Sequence, residues 1–180
     1  MVRDDIKKLA GIYLHCETLT DIPRFGYLLS GVTSPEPVSS HSYNVSMLVL
    51  LLSDHIPGMS KEKALELALV HDIPEALLTD LPLCAKEFID KESAEKKVSE
   101  KIFGSSQKLK ALFEEYIKCQ SLEARFVKEC DRLQMLCRAS RYKRMGRGDM
   151  SRFFERQNNF EFEIISEFLE AFRLLDDQSQ

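Results

Sequence analysis

The chain has 180 residues, of which 44% are hydrophobic and 30% charged, and its formal net charge is −4. This length suits one domain with a sizeable core, so we predict a single domain over residues 1–180, with its core at about 5–170. The hydrophobic content argues against disorder. The negative balance gives no general attraction to polynucleotides or anionic membranes.

Three features of the sequence indicate the compartment. The five cysteines show no CxxC spacing, and the start of the chain is charged and lacks the apolar segment of a signal peptide. The longest purely apolar run, Met47–Leu52, is far too short to span a bilayer. We therefore predict a reduced, cytoplasmic protein that does not cross a membrane.

Seven glycines and the lack of an alternating strand pattern predict an all-α fold, a helical bundle. In chain order, the predicted helices cover residues 3–19, Ser39 or Ser40 to about His55, 61–72, 92–103, 107–118, 122–145 and 150–175. Ser39 or Ser40 and then Ser60 are the expected N-caps of the second and third helices. Pro74 disfavours helical geometry at Ile73, so we expect the chain to turn just after Asp72.

The first and last predicted helices carry strongly apolar faces. In the first helix, one face holds Ile6, Leu9, Ala10, Tyr13 and Leu14. The face of the last helix is rich in phenylalanine and is the expected core side. The same face could equally contribute to an interface, so the sequence leaves a homodimer open.

Four residues of metal-ligand type lie on or beside the apolar stripes of three predicted helices: His41, His71, Asp72 and Asp131. A single His or Asp near an apolar face is usually a hydrogen-bonded structural residue, and the pattern by itself is loose. Two imidazoles and two carboxylates that converge in a helical core would bind a divalent ion and leave positions open for water and substrate. We predict such a site for Mn, Co, Zn, Fe or a similar ion.

Four short segments carry a resemblance to a known family. They are EPVSSHS at residues 36–42, HDIPE at 71–75, TDLP at 79–82 and DRL at 131–133. Together they resemble the HD-domain metal-dependent phosphohydrolases. Within these, the chain is most similar to the branch that contains the YfbR-type 5′-deoxynucleotidases and the HDDC2-like proteins. The resemblance extends over roughly residues 5–170.

The resemblance implies an all-helical HD fold with one catalytic divalent ion, and it gives a role to each matching position. The implied metal ligands are His41, His71, Asp72 and Asp131. The implied catalytic acids are Glu75 and Asp80, which in some relatives hold a second ion, Mg²⁺. The implied substrate contacts are Arg24, which would orient the phosphate, with Phe25, Asp80, Leu81, Pro82, Leu83 and Lys86.

Three positions depart from the pattern of this branch. Phe25 stands where the branch usually has Trp, Ser40 where it often has an acid, and Thr79 where it often has Gly. None of these positions is an implied ligand, so the expected metal site is unaffected. The departures leave the base and sugar preference open.

The implied function is hydrolysis of (deoxy)nucleoside 5′-monophosphates to nucleoside and phosphate by a metal-bound water. The chemistry fits, because a divalent ion can lower the pKa of water from about 15.7 to about 7. Two alternatives stay open. One is an HD phosphohydrolase of triphosphates, cyclic nucleotides or alarmones. The other is a non-catalytic, metal-binding helical regulatory protein.

A basic stretch between residues 138 and 156 has two interpretations. It contains Arg138, Arg141, Lys143, Arg144, Arg147, Arg152 and Arg156. A polynucleotide surface would need interleaved aromatic residues for base stacking, and only Tyr142 is present. We therefore favour a solvated helix face near a C-terminus and predict no polynucleotide partner. Arg138 shares the face of Asp131, so we expect it to approach the metal site.

Overall fold

A computed structural model describes residues 2–82, 85, 88, 90–155 and 159–178. Its helices are α1 (Asp4–Thr18), α2 (Phe25–Leu29), α3 (Val38–Leu52), α4 (Lys61–Val70), α5 (Glu75–Leu78), α6 (Lys91–Phe103), α7 (Gln107–Lys118), α8 (Leu122–Arg144), α9 (Ser151–Phe154) and α10 (Glu163–Gln178). A single 3₁₀ turn, Ser53–His55, follows α3. The described residues contain no β-strand, so the predicted all-α fold is confirmed.

Side-chain caps mark the starts of several helices, as local sequence rules predict. Ser60 Oγ accepts from the Lys63 N–H at 3.4 Å at the start of α4, and Ser121 Oγ accepts from the Ala124 N–H at 3.1 Å at the start of α8. Such bonds satisfy backbone donors that have no partner inside the helix. The expected cap of α4 is therefore confirmed.

The predicted cap of α3 is wrong. This helix begins at Val38, after Pro37, and no side chain caps it. Carbonyl groups from the preceding segment take the first amides instead: Val38 N–H donates to Ile22 O at 2.9 Å and Ser39 N–H to Leu19 O at 3.2 Å. Because these donors are satisfied by the fold, the helix begins two or three residues earlier than a cap at Ser39 or Ser40 would allow.

The core forms around α8, which packs against α3, α4, α7 and α10. Val45 and Val49 of α3, Leu67 of α4, and Leu133 and Leu136 of α8 are fully buried. Burial of such side chains is the main favourable term in folding, at about 25 cal/mol per Å². The long central helix therefore fixes the relative positions of the helices around it. No described helix is both long and apolar enough to cross a membrane.

The predicted helix over 150–175 is two helices. α9 ends at Phe154 and α10 begins at Glu163, with non-helical backbone at residues 159–162. The Glu129 carboxylate accepts from the backbone N–H of Glu161 at 2.6 Å and of Phe162 at 3.2 Å. This contact with α8 satisfies amides just before α10, so the tertiary structure decides where that helix begins. Ile165 and Leu169 of α10 are buried in the core.

The apolar face of α1 does not lie in the core. Ile6, Leu9, Tyr13 and Leu14 are 39–67% exposed, whereas Ile12 is buried. The helix itself agrees with the prediction. Its apolar face is left in contact with water in the single chain.

The basic residues near the end of α8 pair within the chain. Arg144 donates to both carboxylate oxygens of Asp176 in α10 at 3.0 Å, and Arg141 lies 3.5 Å from the same group. Lys143 lies over the Phe154 ring at 5.7 Å. Arg156 lies outside the described residues. These contacts give the basic stretch a structural role in joining α8 to α9 and α10.

Candidate metal centre

Three helices bring the predicted ligands together. His41 lies in the first turn of α3, His71 caps the C-terminus of α4 with Asp72 directly after it, and Asp131 lies in the middle of α8. One ligand atom each from His41, His71 and Asp131 lie within 4.8 Å of one another, so these residues can hold a metal ion. Asp72 Oδ2 lies 3.4 Å from His41 Nε2 and 3.1 Å from His71 Nε2. All four residues therefore surround one point.

Both imidazoles present Nε2 to this point. His71 Nδ1 lies 2.7 Å from the Ala68 carbonyl, which can only accept, so Nδ1 carries the proton. His41 Nδ1 lies 2.6 Å from Gln134 Oε1. With Nδ1 engaged in this way, Nε2 of each ring is directed at the carboxylates of Asp72 and Asp131. This is the orientation that metal-binding histidines usually have.

Three buried atoms at this point have no hydrogen bond among the described residues: His41 Nε2, His71 Nε2 and Asp72 Oδ2. His41 Nε2 lies 3.0 Å from Asp131 Oδ1, but the pair lacks hydrogen-bond geometry. Leaving buried polar atoms unsatisfied costs about 1–3 kcal/mol each. A divalent cation would satisfy these atoms together, and nitrogen and carboxylate donors suit transition ions. The donor set thus fits a metal ion.

The charges of the site are strongly coupled. Burial would raise the pKa of Asp72, but His71 and His41 outweigh this and hold the pKa below its usual value. Burial would likewise raise the pKa of Asp131, and His41, His71 and Arg24 reverse the shift. Burial would lower the pKa of His71, and the negative charge of Asp72 raises it instead. Both carboxylates are therefore anionic and ready to bind a cation.

Arg24 lies at the edge of this centre, at the start of α2. Its Nη1 is 3.5 Å from Asp72 Oδ2, and its Nε is 3.8 Å from Asp80 Oδ2. Burial would lower the pKa of Arg24, but the charges of Asp80 and Asp72 raise it well above the usual value. The guanidinium is thus permanently charged, and it is the kind of planar fork that binds phosphate oxygens in pairs.

Glu75 begins a short helix that the sequence did not predict, and Asp80 lies just after it. This helix is α5, and it directly follows Pro74. Asp80 Oδ2 accepts from the backbone N–H of Phe25 at 2.6 Å, which ties the turn to the start of α2. The predicted turn after Asp72 is confirmed, because α4 ends at Val70 and residues 71–74 form turns.

A cavity of about 530 Å³ opens beside the metal centre. Its described lining residues are Arg24, His71, Asp72, Pro74, Glu75, Leu78, Asp80, Leu81, Glu95, Tyr116, Ile117, Lys118, Lys128 and Asp131. Five of the predicted substrate contacts are among the described residues. Three of these five, Arg24, Asp80 and Leu81, line the cavity. Phe25 and Pro82 do not, so their contact with a substrate stays a prediction. Leu83 and Lys86 lie outside the described residues.

Tyr116 and Lys128 belong to the cavity wall but were missed from the sequence. Tyr116 Oη lies 3.4 Å from Asp131 Oδ2, and its ring centroid lies 5.4 Å from that of His71. Lys128 Nζ lies 4.3 Å from the centre of the Tyr116 ring. Lys128 precedes Asp131 by one turn of α8, so helical spacing could have found it. Tyr116 lies on α7, and no spacing relates it to the other residues.

Comparisons with known proteins agree with this geometry. Residues 16–171 match the family described as HD domain. The chain is 32% identical to the 5′-deoxynucleotidase hdd1 of Schizosaccharomyces pombe over 156 residues, which cover 78% of this chain and 77% of that protein. It is 32% identical to the human 5′-deoxynucleotidase HDDC2 over 69% of this chain, but it spans only 63% of that protein's length.

A solved structure has the same fold. It is a conserved hypothetical protein from Pyrococcus furiosus, with a TM-score of 0.81 and 36% identity, and the match covers 91% of this chain and 98% of that one. The family match covers most of the chain and includes all four residues that surround the candidate metal position. The chain therefore belongs to the HD-domain family.

Proposed function

We propose that the protein is a metal-dependent phosphohydrolase that converts (deoxy)nucleoside 5′-monophosphates to nucleoside and phosphate. The observation that carries this proposal is the cluster of ligand atoms from His41, His71 and Asp131 within 4.8 Å of one another, with Arg24 beside it in the wall of a cavity. The cavity volume of about 530 Å³ is in the range of small-molecule sites. The names of the yeast and human relatives support this substrate class.

In this proposal, His41, His71, Asp72 and Asp131 hold the ion, which is Mn, Co, Zn, Fe or a similar divalent metal. When bound, the ion supplies a Lewis acid that lowers the pKa of water and offsets negative charge on a phosphoryl group. The burial of the imidazoles and the position of each Nε2 support this assignment.

Arg24 is the proposed phosphate-orienting group. Its guanidinium forms only long ion pairs with Asp72 and Asp80, at 3.5 and 3.8 Å. It can therefore donate two charge-assisted hydrogen bonds to the phosphate oxygens of a bound substrate instead. Asp80, Leu81 and the rest of the turn through Pro82 and Leu83, together with Phe25 and Lys86, are the proposed contacts to the nucleoside. Contacts to both the phosphate and the nucleoside would hold the phosphate ester bond in one orientation relative to the catalytic groups.

Glu75 and Asp80 are the proposed catalytic acids. Glu75 lies on the cavity wall next to the Asp72 segment, where a carboxylate can take a proton from water or return it to the leaving alkoxide. If both carboxylates instead hold a second ion, Mg²⁺, the same residues would act as ligands. In that case, added Mg²⁺ should partly restore the activity of Glu75→Gln.

A phosphate-release screen tests the substrate class. Purified protein is incubated with nucleoside 5′-monophosphates, deoxynucleoside triphosphates and cyclic nucleotides, each with several divalent metals and with His71→Ala as the control. We expect phosphate from monophosphates and much slower reaction of the others. Tripolyphosphate from triphosphates, without activity on monophosphates, would favour the triphosphohydrolase alternative. Inactivity with every metal would favour a regulatory protein.

We further propose that residues 1–180 form one domain, with its core at about 5–170, and that the protein is a cytoplasmic homodimer with no polynucleotide or membrane partner. The central position of α8, in contact with α3, α4, α7, α9 and α10, supports the single domain. Exposed apolar side chains on α1 provide surface of the kind that an interface can cover.

A further inference from the structure

A buried polar chain leads from His41 along the face of α8 that carries Asp131. Gln134 lies one turn after Asp131 and is only 5% exposed. Its Oε1 lies 2.6 Å from His41 Nδ1, while its Nε2 donates to Glu36 Oε1 at 3.0 Å and to Glu36 Oε2 at 3.2 Å. Arg138 Nε donates to Glu36 Oε2 at 2.7 Å. The chain therefore runs Arg138, Glu36, Gln134, His41.

The chemistry of these groups fixes the direction of the Gln134 amide. A carboxylate that accepts from a guanidinium has only acceptor oxygens, so the amide end that faces Glu36 must be the NH₂ group. The amide oxygen must then face His41. An amide oxygen can only accept, so His41 Nδ1 has to donate and must carry the proton.

This proton position decides whether His41 can be a ligand. A neutral imidazole with its proton on Nδ1 has its lone pair on Nε2, the atom that lies beside Asp72 and Asp131. The opposite tautomer would place a hydrogen on Nε2 and could not bind a cation there. For His71 the same choice is made by the backbone carbonyl of Ala68. His41 differs because its partner is the side-chain amide of Gln134. Without Glu36, this amide could rotate by 180° and present its NH₂ group to His41.

Glu36 is held in place by several bonds besides the Arg138 pair. Its side chain is 3% exposed, its N–H donates to Tyr142 Oη at 2.8 Å, and its carbonyl accepts from the Arg24 N–H at 3.1 Å. The backbone of this one residue thus supports Arg24, while its side chain supports Gln134. A carboxylate so fixed can impose a direction on the amide beside it.

We propose that Gln134 and Glu36 are positioning residues that hold His41 in its metal-binding tautomer. The proposal rests on the proposed role of His41 as a ligand. Neither residue is among the described residues that line the cavity. Loss of a group that orients a metal-binding histidine typically weakens metal binding by about 10–100-fold.

The experiment measures Zn²⁺ affinity by chelator competition and reads the histidine tautomers by long-range ¹H–¹⁵N NMR of the Zn²⁺-loaded protein. The variants are Gln134→Leu, which removes the acceptor, and Glu36→Gln, which removes the constraint on the amide. The double variant Glu36→Gln/Gln134→Glu exchanges the two groups. In it the new carboxylate at position 134 accepts from His41 Nδ1–H, and the new amide at position 36 can bond to both Arg138 and that carboxylate.

Glu123→Gln is the matched control. Glu123 is also a buried carboxylate of α8, but it accepts from the Ser60 N–H and pairs with Lys63, away from the metal centre. The His71 signals provide an internal control, because a backbone carbonyl sets that tautomer in every variant. Thermal unfolding of each variant without metal shows whether the fold is retained.

We expect Gln134→Leu to bind Zn²⁺ about 10–100-fold more weakly, Glu36→Gln to bind more weakly than wild type, and the exchanged double variant to regain most of the affinity and the Nδ1–H signal of His41. Glu123→Gln should keep wild-type affinity even if it lowers stability. Equal affinity in Gln134→Leu and Glu123→Gln would overturn the proposal, as would a double variant no better than Glu36→Gln. Unchanged affinity in His41→Ala would instead refute the ligand assignment itself, and with it this inference.

Discussion

At the scale of single residues, the candidate metal centre depends on the orientation of its two histidine rings. The hydrogen-bond partner of Nδ1 determines the orientation of each ring. His71 takes its orientation from a carbonyl of its own helix, and His41 takes its orientation from α8. The carboxylates of Asp72 and Asp131 keep lowered pKa values because the histidines lie beside them, which outweighs the effect of burial. The four groups thus form one electrostatic unit, and the loss of one should affect all the others.

The first prediction at this scale concerns metal content. His71→Ala and Asp131→Ala each remove a proposed bond to the ion, so purified variants should contain much less metal than the wild type, which should hold about one ion per chain. Elemental analysis of dialysed protein measures this directly. Glu123→Gln serves as the control. Unchanged metal in both site variants would mean that the ion binds elsewhere.

Variants of Arg24 and Glu75 should have different kinetic effects, because we propose that Arg24 binds the phosphate and that Glu75 transfers a proton. Arg24→Ala should retain the metal but raise KM and lower turnover, because the charge-assisted fork on the phosphate is lost. Glu75→Gln is nearly isosteric and should lower kcat by roughly 10²–10⁴-fold if Glu75 transfers a proton. Steady-state kinetics with the best substrate of the screen measures both effects. Near wild-type constants in both variants would show that the pocket has been misplaced.

At the scale of elements, the turn between α5 and Asp80 carries backbone strain. Thr79 has φ 62° and ψ 169°, a region that only glycine occupies readily. Its N–H donates to Glu75 O at 2.8 Å, and the next residue is bonded to the start of α2. The resemblance implies glycine at this position, and glycine adopts this geometry readily. In this chain a β-branched residue adopts the same conformation.

Thr79→Gly should therefore stabilise the fold. Relief of the unfavourable backbone conformation is worth about 1–3 kcal/mol, and the greater freedom of glycine in the unfolded chain offsets about 0.5–1 kcal/mol of it. Thr79→Ala shortens the side chain but keeps the strain, so it is the matched control. Chemical denaturation should give a higher free energy of unfolding for Thr79→Gly than for Thr79→Ala. The reverse order would show that the turn is not strained.

At the scale of the whole molecule, the exposed face of α1 bears on oligomeric state. Exposed apolar side chains in a row are costly in water, and a second copy of the chain could cover them. We expect sedimentation velocity at graded concentrations to show a species of about twice the 20.7 kDa of one chain. A single species with the mass of one chain at every concentration would contradict the proposed homodimer. Of the phenylalanines on the predicted phenylalanine-rich face, only Phe168 and Phe172 lie in α10, and its Ile165 and Leu169 are in the core, so this helix is less available than α1.

Much of the fold could be predicted from local sequence. Helical periodicity predicted α4, α7 and α8 to within about two residues, and the Ser60 cap predicted the start of α4, because these signals act between residues one turn apart. The resemblance in four short segments predicted the HD-domain family, which the comparisons confirm. The roles assigned to individual site residues remain predictions.

Other features depended on contacts between distant segments. The start of α3 follows from bonds to Ile22 and Leu19, and the start of α10 from the Glu129 carboxylate. No spacing in the sequence predicts that Tyr116 lies beside His71 or that Gln134 faces His41 across 93 residues of chain. The approximate positions of the helices and the residue types that can bind a metal are local properties of the sequence. The tautomer of His41, the position of Arg24 and the shape of the cavity were decided only when the helices packed, because each depends on groups that meet in the folded chain alone.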